Sequence, residues 1–447
     1  MQPKDLRAYL FLLEQQGMLK HVTRHVSSDH EVAALLKKTD GKVPLYFEHI
    51  DDYRVPLVAG LGGTRENIAL NLGISPSQLV TRLAAAIVTP IAPRMVTTAD
   101  VHQNVVKPPF DLDTYFQILR YSDRDPGRFL VSGVMTAKSI DSQKTYTSIR
   151  RMQYLGGNRC CLLVTSHEMK QQIQYYEQQH KPMDVAVMFG VNPAVVLASQ
   201  ISTHTYDVDK IAVTGALLGQ PLDVVRGKTV DINVLADAEI VLEGKLYPWI
   251  KETEGPFGEL AGYYGGTSEQ PVVEITAITF RDDPINQTIL AGSCEEKLPE
   301  ALAREVTLLA AVRQTVPSVT AVHIPTAAVG RFHAVIQLEK SSAGDGKQAL
   351  IAAFSSDKDL KHAVAIDTDV DLFDADDVEW AIATRVQADR DVFIIPGANG
   401  SPLEPSHLER GISAKMGIDA TSPVGDPAYQ RVHIPGDAEL VLSDYIQ

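Results

Sequence analysis

Between Phe129 and Phe280 the sequence runs as short, β-branched apolar stretches: FLVSGVMTA (129–137), RCCLLVTS (159–166), MDVAVMFGV (183–191), EIVLEGKL (239–246) and PVVEITAITF (271–280). Gly, Pro and Asp separate them, the residues that end strands and make turns. A single helical pattern, His167 to Gln179, interrupts the series. This spacing predicts a mostly β region, a barrel with helical insertions.

Outward from that core the pattern changes on both sides. Residues 1–105 mix helical stretches with short strand-like runs such as VPLYFEHI, and GLGG at 60–63 precedes a helix at Glu66 to Leu72. The first seventeen residues read as an amphipathic helix, because Lys4, Asp5, Arg7 and Glu14 interrupt the apolar positions that a signal peptide would need. Beyond Pro299, EALAREVTLLAAVRQTV is amphipathic helix, and alternating strand and helix patterns follow it. The segment GANGSPLEP at 397–405 and the stretch to Gln447 read as a loop-rich tail. The expected organisation is an N-terminal α/β domain (1–105), a barrel domain (106–290), a linker helix (291–320) and a C-terminal α/β domain (321–447).

The 447 residues are 45% hydrophobic and 22% charged, a globular composition that excludes disordered and collagen-like classes. No apolar run reaches the ~18 residues of a membrane span. A net charge of −15 disfavours nucleic acid and anionic membranes, so an anionic ligand needs local positive charge. Three cysteines, Cys160, Cys161 and Cys294, lack CxxC spacing and point to a reducing, cytoplasmic setting.

Two segments can carry chemistry. In Glu254-Gly-Pro-Phe-Gly-Glu259 two carboxylates are joined by a turn that can fold both toward one pocket. Such a pair lets one acid donate a proton while the other stays ionised; the alternative is a polar surface turn. Thr145-Tyr-Thr-Ser-Ile-Arg-Arg-Met152 joins hydroxyls to Arg150 and Arg151, which suits phosphate or carboxylate; the alternative is a solvated pair at a strand end. Adjacent strand residues face opposite ways, so one arginine at most is expected in a pocket. Neither a GxGxxG nor a GxxxxGK[ST] pattern is present, and GLGG lacks the spacing of either.

Several segments together resemble the UbiD-type decarboxylases that use prenylated FMN: GLGGTRENIALNLG (60–73), SIRRMQ (148–153), DVAVMFGVNPA (184–194), TGALLGQPLDVVRGKTVDINVLADAEIVLEG (214–244), EGPFGELAGYYG (254–265), HAVAIDTDVDLFDADDVEWAIATRV (362–386) and AKMGIDAT (414–421). The resemblance implies a central split β-barrel like flavin reductases, flanked by an N-terminal α/β domain and a C-terminal α/β domain that mediates association. It implies a reversible non-oxidative decarboxylase of an aromatic, heteroaromatic or α,β-unsaturated acid. The family's catalytic set falls on Arg151, Glu254 and Glu259, with Glu259 as the proton donor. Ser148, Ile149, Arg150, Arg151, Leu163, Val164, Thr165, Glu168 and Met169 fall at flavin-contacting positions. A flavin prenyltransferase as cofactor source, and a dimer or hexamer, are implied likewise. Arg304 would bind a second substrate acid, as in a furan dicarboxylate, or else pair with Glu300 four residues earlier.

The family's divalent metal, usually manganese, sits between flavin phosphate and an Asn, a His and a Glu. Here those positions are Tyr146, His167 and Lys210. A phenol and an ammonium are poor ligands for a hard cation. Three explanations compete: Lys210 and Tyr146 replace the metal at the phosphate; the register slips so that Asp207 or Asp209 supplies the carboxylate and Lys210 faces solvent; or the chain is a flavin-poor, non-catalytic relative. A flavin-independent acid–base lyase is a further alternative. His204, His323, His333 and His407 have no partner in the sequence, and the acidic run 367–379 lacks an EF-hand register, which leaves it a solvated face.

Overall fold

The computed structural model describes residues 2–138, 145–202, 205–407, 409–436 and 440–445; His204 lies outside them. Six strands, Phe129–Lys138, Thr145–Gly156, Arg159–Leu162, Met183–Phe189, Ile240–Glu254 and Ser268–Phe280, pair antiparallel into a closed ring among the described residues. Closure leaves the ring without an open edge. The expected barrel is therefore present, embedded in a mixed α/β chain.

The apolar runs are continuous because several strands are buried on both faces. In Met183–Phe189, Met183, Val185, Val187 and Phe189 enter an interior cluster to which all six strands contribute. Ala186 and Met188, one residue out of phase, enter a second cluster with Val134 and Val241. Helices Arg65–Leu72, Leu79–Val88, Pro193–Ser199 and Lys210–Leu218 cover that outer face. Strict alternation is lost for the reason it is lost in any sheet covered on both sides.

Strands Lys20–Val22, Leu45–Phe47, Leu57–Ala59 and Asn286–Gln287 form a separate four-stranded sheet. The N-terminal helix, Leu6–Gln15, starts at Asp5, whose carboxylate accepts the Ala8 N–H, and buries Leu6, Tyr9, Leu10 and Leu13. Thr64 caps Arg65–Leu72, and Gly73 ends it in the left-handed region. The GLGG turn directs its Gly60 and Gly62 N–H groups at the buried Glu295 carboxyl, at 2.6 and 3.2 Å. Its backbone thus serves an internal acid and not a phosphate. Among the described residues no helix is long and apolar enough to cross a membrane.

The chain divides into two compact units, one of residues up to Thr307 with 324–331 and 402–407, the other of 308–323, 332–401 and 408–447. The second holds a five-stranded sheet in the order Val319–His323, His333–Leu338, His362–Asp367, Ile412–Ala420, Val392–Asn399. Its three middle strands are parallel and its edges antiparallel. The segment read as a loop-rich tail therefore supplies an inner strand. Within Ile412–Ala420 the Lys415 ammonium is buried on the Lys358 and Leu360 carbonyls. Gly417 leaves room for the Phe393 ring. In the acidic run, Asp367 and Asp369 grip Arg385 at 2.6 Å each and Asp374 caps the helix Ala375–Arg385, so part of this expected solvated face is structural.

Gly190 tests the packing at the end of Met183–Phe189. Its φ is +67°, and an added Cβ would lie 2.4 Å from Glu239 Cβ and Cγ. Glu239 is fully buried and held by Arg7 and Arg281. Gly190→Ala is expected to destabilise the chain by about 2–4 kcal/mol, measured by denaturant unfolding.

Candidate active site

Arg151 lies within Thr145–Gly156, and Glu254 ends Ile240–Glu254. The guanidinium grips Glu254 with both ends of its fork, Nε to Oε1 at 2.8 Å and Nη2 to Oε2 at 3.3 Å. Its third nitrogen donates to Glu259 Oε1 at 3.2 Å. Side-chain exposure is 1% for Glu254, 12% for Arg151 and 23% for Glu259, so Glu259 is the most accessible member. Fork-to-carboxylate geometry gives the strongest of the common ion-pair arrangements.

The loop between the two acids is built to return. The Gly255 N–H donates to Gln153 Oε1 at 3.0 Å, and Glu259 and Tyr263 are joined by backbone hydrogen bonding at 2.8 Å. Phe257 is buried against Tyr121 and Phe129, with the Arg151 guanidinium carbon 4.5 Å from its ring centre. Gly265 leaves room for the observed Glu259 position: a Cβ there would lie 2.5 Å from Glu259 Oε1 and displace that carboxyl. The surface-turn alternative for the two acids is thereby excluded.

Arg150 points elsewhere, as the strand period demands. Its Nη2 donates to Ser166 Oγ at 2.8 Å and to the Tyr146 hydroxyl, while its buried Nε has no partner. Ser166 is also the N-cap of the helix His167–Gln178. Ser148, Ile149 and Leu163 are partly exposed, Thr165 and His167 are exposed, and Glu168 is partly exposed. The Val164 N–H donates to Gln270 Oε1 at 3.0 Å, and Met169 is buried in the barrel cluster.

Lys210 is the first residue of the helix Lys210–Leu218 and only 6% exposed. Its Nζ donates to the Ser199 carbonyl at 2.8 Å. Burial depresses it to about 8, with Glu168 opposing and Arg150 reinforcing the shift. Asp209 caps this helix through one carboxylate oxygen, Oδ1, which accepts from the Ile211 and Ala212 N–H groups. The slipped-register explanation, which needed a solvent-facing lysine, is therefore overturned. The set Tyr146, His167 and Lys210 does not fit a divalent cation, since the phenol oxygen already accepts from Arg150 and the ammonium has no lone pair. Among the described residues no group of three His, Cys, Asp or Glu side chains is gathered for a metal.

Arg304 donates its Nε to Glu300 at 2.9 Å, the helix pairing that the spacing allowed; Glu300 also accepts from Arg331. Sequence reasoning missed Glu296, which accepts the Gly292 N–H at 2.5 Å. Burial raises its carboxyl to about 7; the Gly292 hydrogen bond opposes, Glu300 and Glu259 add, and Arg151 opposes. A pair of adjacent acids opening an amphipathic helix was the available signal. Ser166, legible only as a helix cap, was missed as the Arg150 partner.

Descriptions of the 3-octaprenyl-4-hydroxybenzoate carboxy-lyase N-terminal, Rift-related and C-terminal domains match residues 10–87, 94–294 and 300–420. The chain belongs to the UbiD family. A solved UbiD-class enzyme, HmfF from Pelotomaculum thermopropionicum in complex with FMN, superposes with a TM-score of 0.96 at 41% identity, over 99% of this chain and 100% of that one. The anhydromevalonate phosphate decarboxylase of Methanothermobacter thermautotrophicus is 31% identical over 96% of this chain and 99% of its own length. The phenolic acid decarboxylase of Sedimentibacter hydroxybenzoicus is 30% identical over 94% and 92%. As a UbiD-family member the chain is a carboxy-lyase.

Removing the Arg151 fork leaves Glu254 buried without its cation. Arg151→Ala is expected to cost about 3–5 kcal/mol of stability, and Arg151→Lys less, by denaturant unfolding. Glu296 gives a pH test. Folded, it holds its proton up to about pH 7; unfolded, it releases it near 4.5. Its contribution is full below 4.5 and is lost as pH rises through 7. The Tm of Glu296→Gln relative to the unaltered chain should therefore climb between pH 5 and 7; parallel Tm profiles would contradict this assignment.

Proposed function

We propose that the chain is a reversible, non-oxidative decarboxylase of an aromatic, heteroaromatic or α,β-unsaturated carboxylic acid that uses prenylated FMN. The observation that carries the reading is the Arg151 fork on a buried Glu254, with a third donor on the accessible Glu259. Prenylated FMN, when bound, supplies the electron sink for the pair left on the sp² carbon as carbon dioxide departs. Arg150 fits that cofactor's anionic end, since its buried Nε is an open donor. Ser148, Ile149, Leu163, Val164, Thr165, Glu168 and Met169 are the proposed flavin contacts. A flavin prenyltransferase supplies the cofactor, and the chain assembles as a dimer or hexamer.

Each member of the trio has a separate task. Glu254, nearly inaccessible, holds the guanidinium in place. Arg151 keeps one donor on Glu259 and holds its carboxyl, the most accessible of the trio. Glu259 delivers a proton to the carbon that lost its carboxylate, and takes it back in the carboxylation direction. Solvent then restores the Glu259 proton, which its exposure permits.

The test is to form holo-protein by co-expression with a flavin prenyltransferase and to screen aromatic, heteroaromatic and acrylic acids for carbon dioxide release in deuterated water. Active substrates should yield product deuterated at the former carboxyl carbon. Glu259→Gln is expected to lower turnover by about 10²–10⁴-fold. Unchanged turnover in that variant would remove Glu259 from the proton transfer.

A further inference from the structure

Lys210 is an anomaly among the buried lysines. Lys415, 2% exposed, satisfies its ammonium on two backbone carbonyls. Lys210 is buried nearly as fully, yet Ser199 O is its hydrogen-bond partner and no second acceptor reaches it among the described residues. An ammonium carries three donors, and leaving them unmet in a low-dielectric site is costly. Its position also carries a second positive charge, because Arg150 is near enough to oppose it, while Glu168 is the acid that favours it. Arg150 in turn has a buried Nε with no acceptor. Two cations against one carboxylate leave a surplus positive charge, with open donors on both cations. Two helices of nine and twelve residues, Lys210–Leu218 and His167–Gln178, begin at residues of this cluster and add their positive ends.

We infer that Lys210 and Arg150 form a metal-independent seat for the phosphate dianion of the flavin, with the Lys210 ammonium standing where the family places its divalent cation. The inference rests on the flavin reading above and goes further, by naming what neutralises the phosphate. A divalent ion held by one carboxylate and a lone ammonium both present one net positive charge, so the exchange preserves the charge facing the phosphate. Tyr146 and Ser166 orient Arg150: both accept from its Nη2, and its buried Nε remains a donor without an acceptor. The chain is then a flavin binder whose affinity is independent of manganese.

The test uses the full chain, freed of metal with a chelator and titrated by fluorescence with FMN and with riboflavin, the same ring system without phosphate. FMN should bind at least tenfold more tightly than riboflavin, with the same affinity in chelator and in manganese. Lys210→Met should lower FMN affinity about 10- to 100-fold, the loss of one charge-assisted hydrogen bond, and leave riboflavin affinity unchanged. Stoichiometric manganese in protein purified without chelator, or FMN binding that needs manganese, overturns the inference and leaves the flavin reading standing. Equal loss of both flavins in Lys210→Met makes the lysine structural and also overturns it. A chain that binds neither flavin overturns both readings together. Should Lys210→Met fail to fold, the ratio of FMN to riboflavin affinity in the unaltered chain, with and without manganese, still decides.

Discussion

The Arg151–Glu254 pair is the constraint around which the rest of the site is arranged. Placing a carboxylate at 1% exposure costs several kcal/mol unless a cation meets it with good geometry. The fork supplies that geometry only if strand Thr145–Gly156 and the end of strand Ile240–Glu254 stay in position. Barrel closure provides this: Thr145–Gly156 is paired on both sides, and Ile240–Glu254 is paired on both sides over Ile240–Leu246 and with Ser268–Phe280 from there to Glu254. Phe257 covers one face of the guanidinium and keeps water from it. The pair therefore makes demands on a scaffold, and the scaffold's glycines answer them. Gly255, at φ +85°, turns the chain directly after Glu254, and Gly265 clears the volume that Glu259 occupies.

How much of this was legible in the sequence depended on the range of the interactions. The barrel strands were legible because burial on both faces writes continuous β-branched runs, and the runs end at turn residues. Ile412–Ala420 was not, since its polar letters hide two tertiary solutions: Lys415 on two carbonyls and Gly417 beneath Phe393. Neither partner is near in sequence. The same rule sorts the site. Glu254 and Glu259 were readable as a pair because a short turn joins them, whereas their union with Arg151, more than a hundred residues away, came from resemblance and not from pattern. Lys210 shows the limit. Its letter at an expected acid position raised three explanations, and burial together with the Asp209 cap was needed to discard the slipped register.

Charge divides the labour between the two arginines. Arg151 faces two carboxylates, so with both ionised the trio carries a net charge of −1 and does not attract an anion. Lys210 is favoured by Glu168 and opposed by Arg150, two cations and one carboxylate that together carry a surplus of +1. In a chain of net charge −15, the latter cluster is thus a local source of attraction for an anionic cofactor.

On the proposed reading, a carboxylate substrate faces the opposite problem beside Arg151. With Glu254 and Glu259 both ionised it would bring a third negative charge to one guanidinium, and like charges at that range repel strongly in a partly buried site. Glu296 adds to the difficulty as pH passes about 7, where its own ionisation begins to add negative charge near Arg151 and Glu259. On the proposed decarboxylase reading, the two acids divide the work by accessibility: Glu254 remains the permanent partner of Arg151, and Glu259, the more exposed carboxyl on the third donor, is the one placed to meet the substrate carbon.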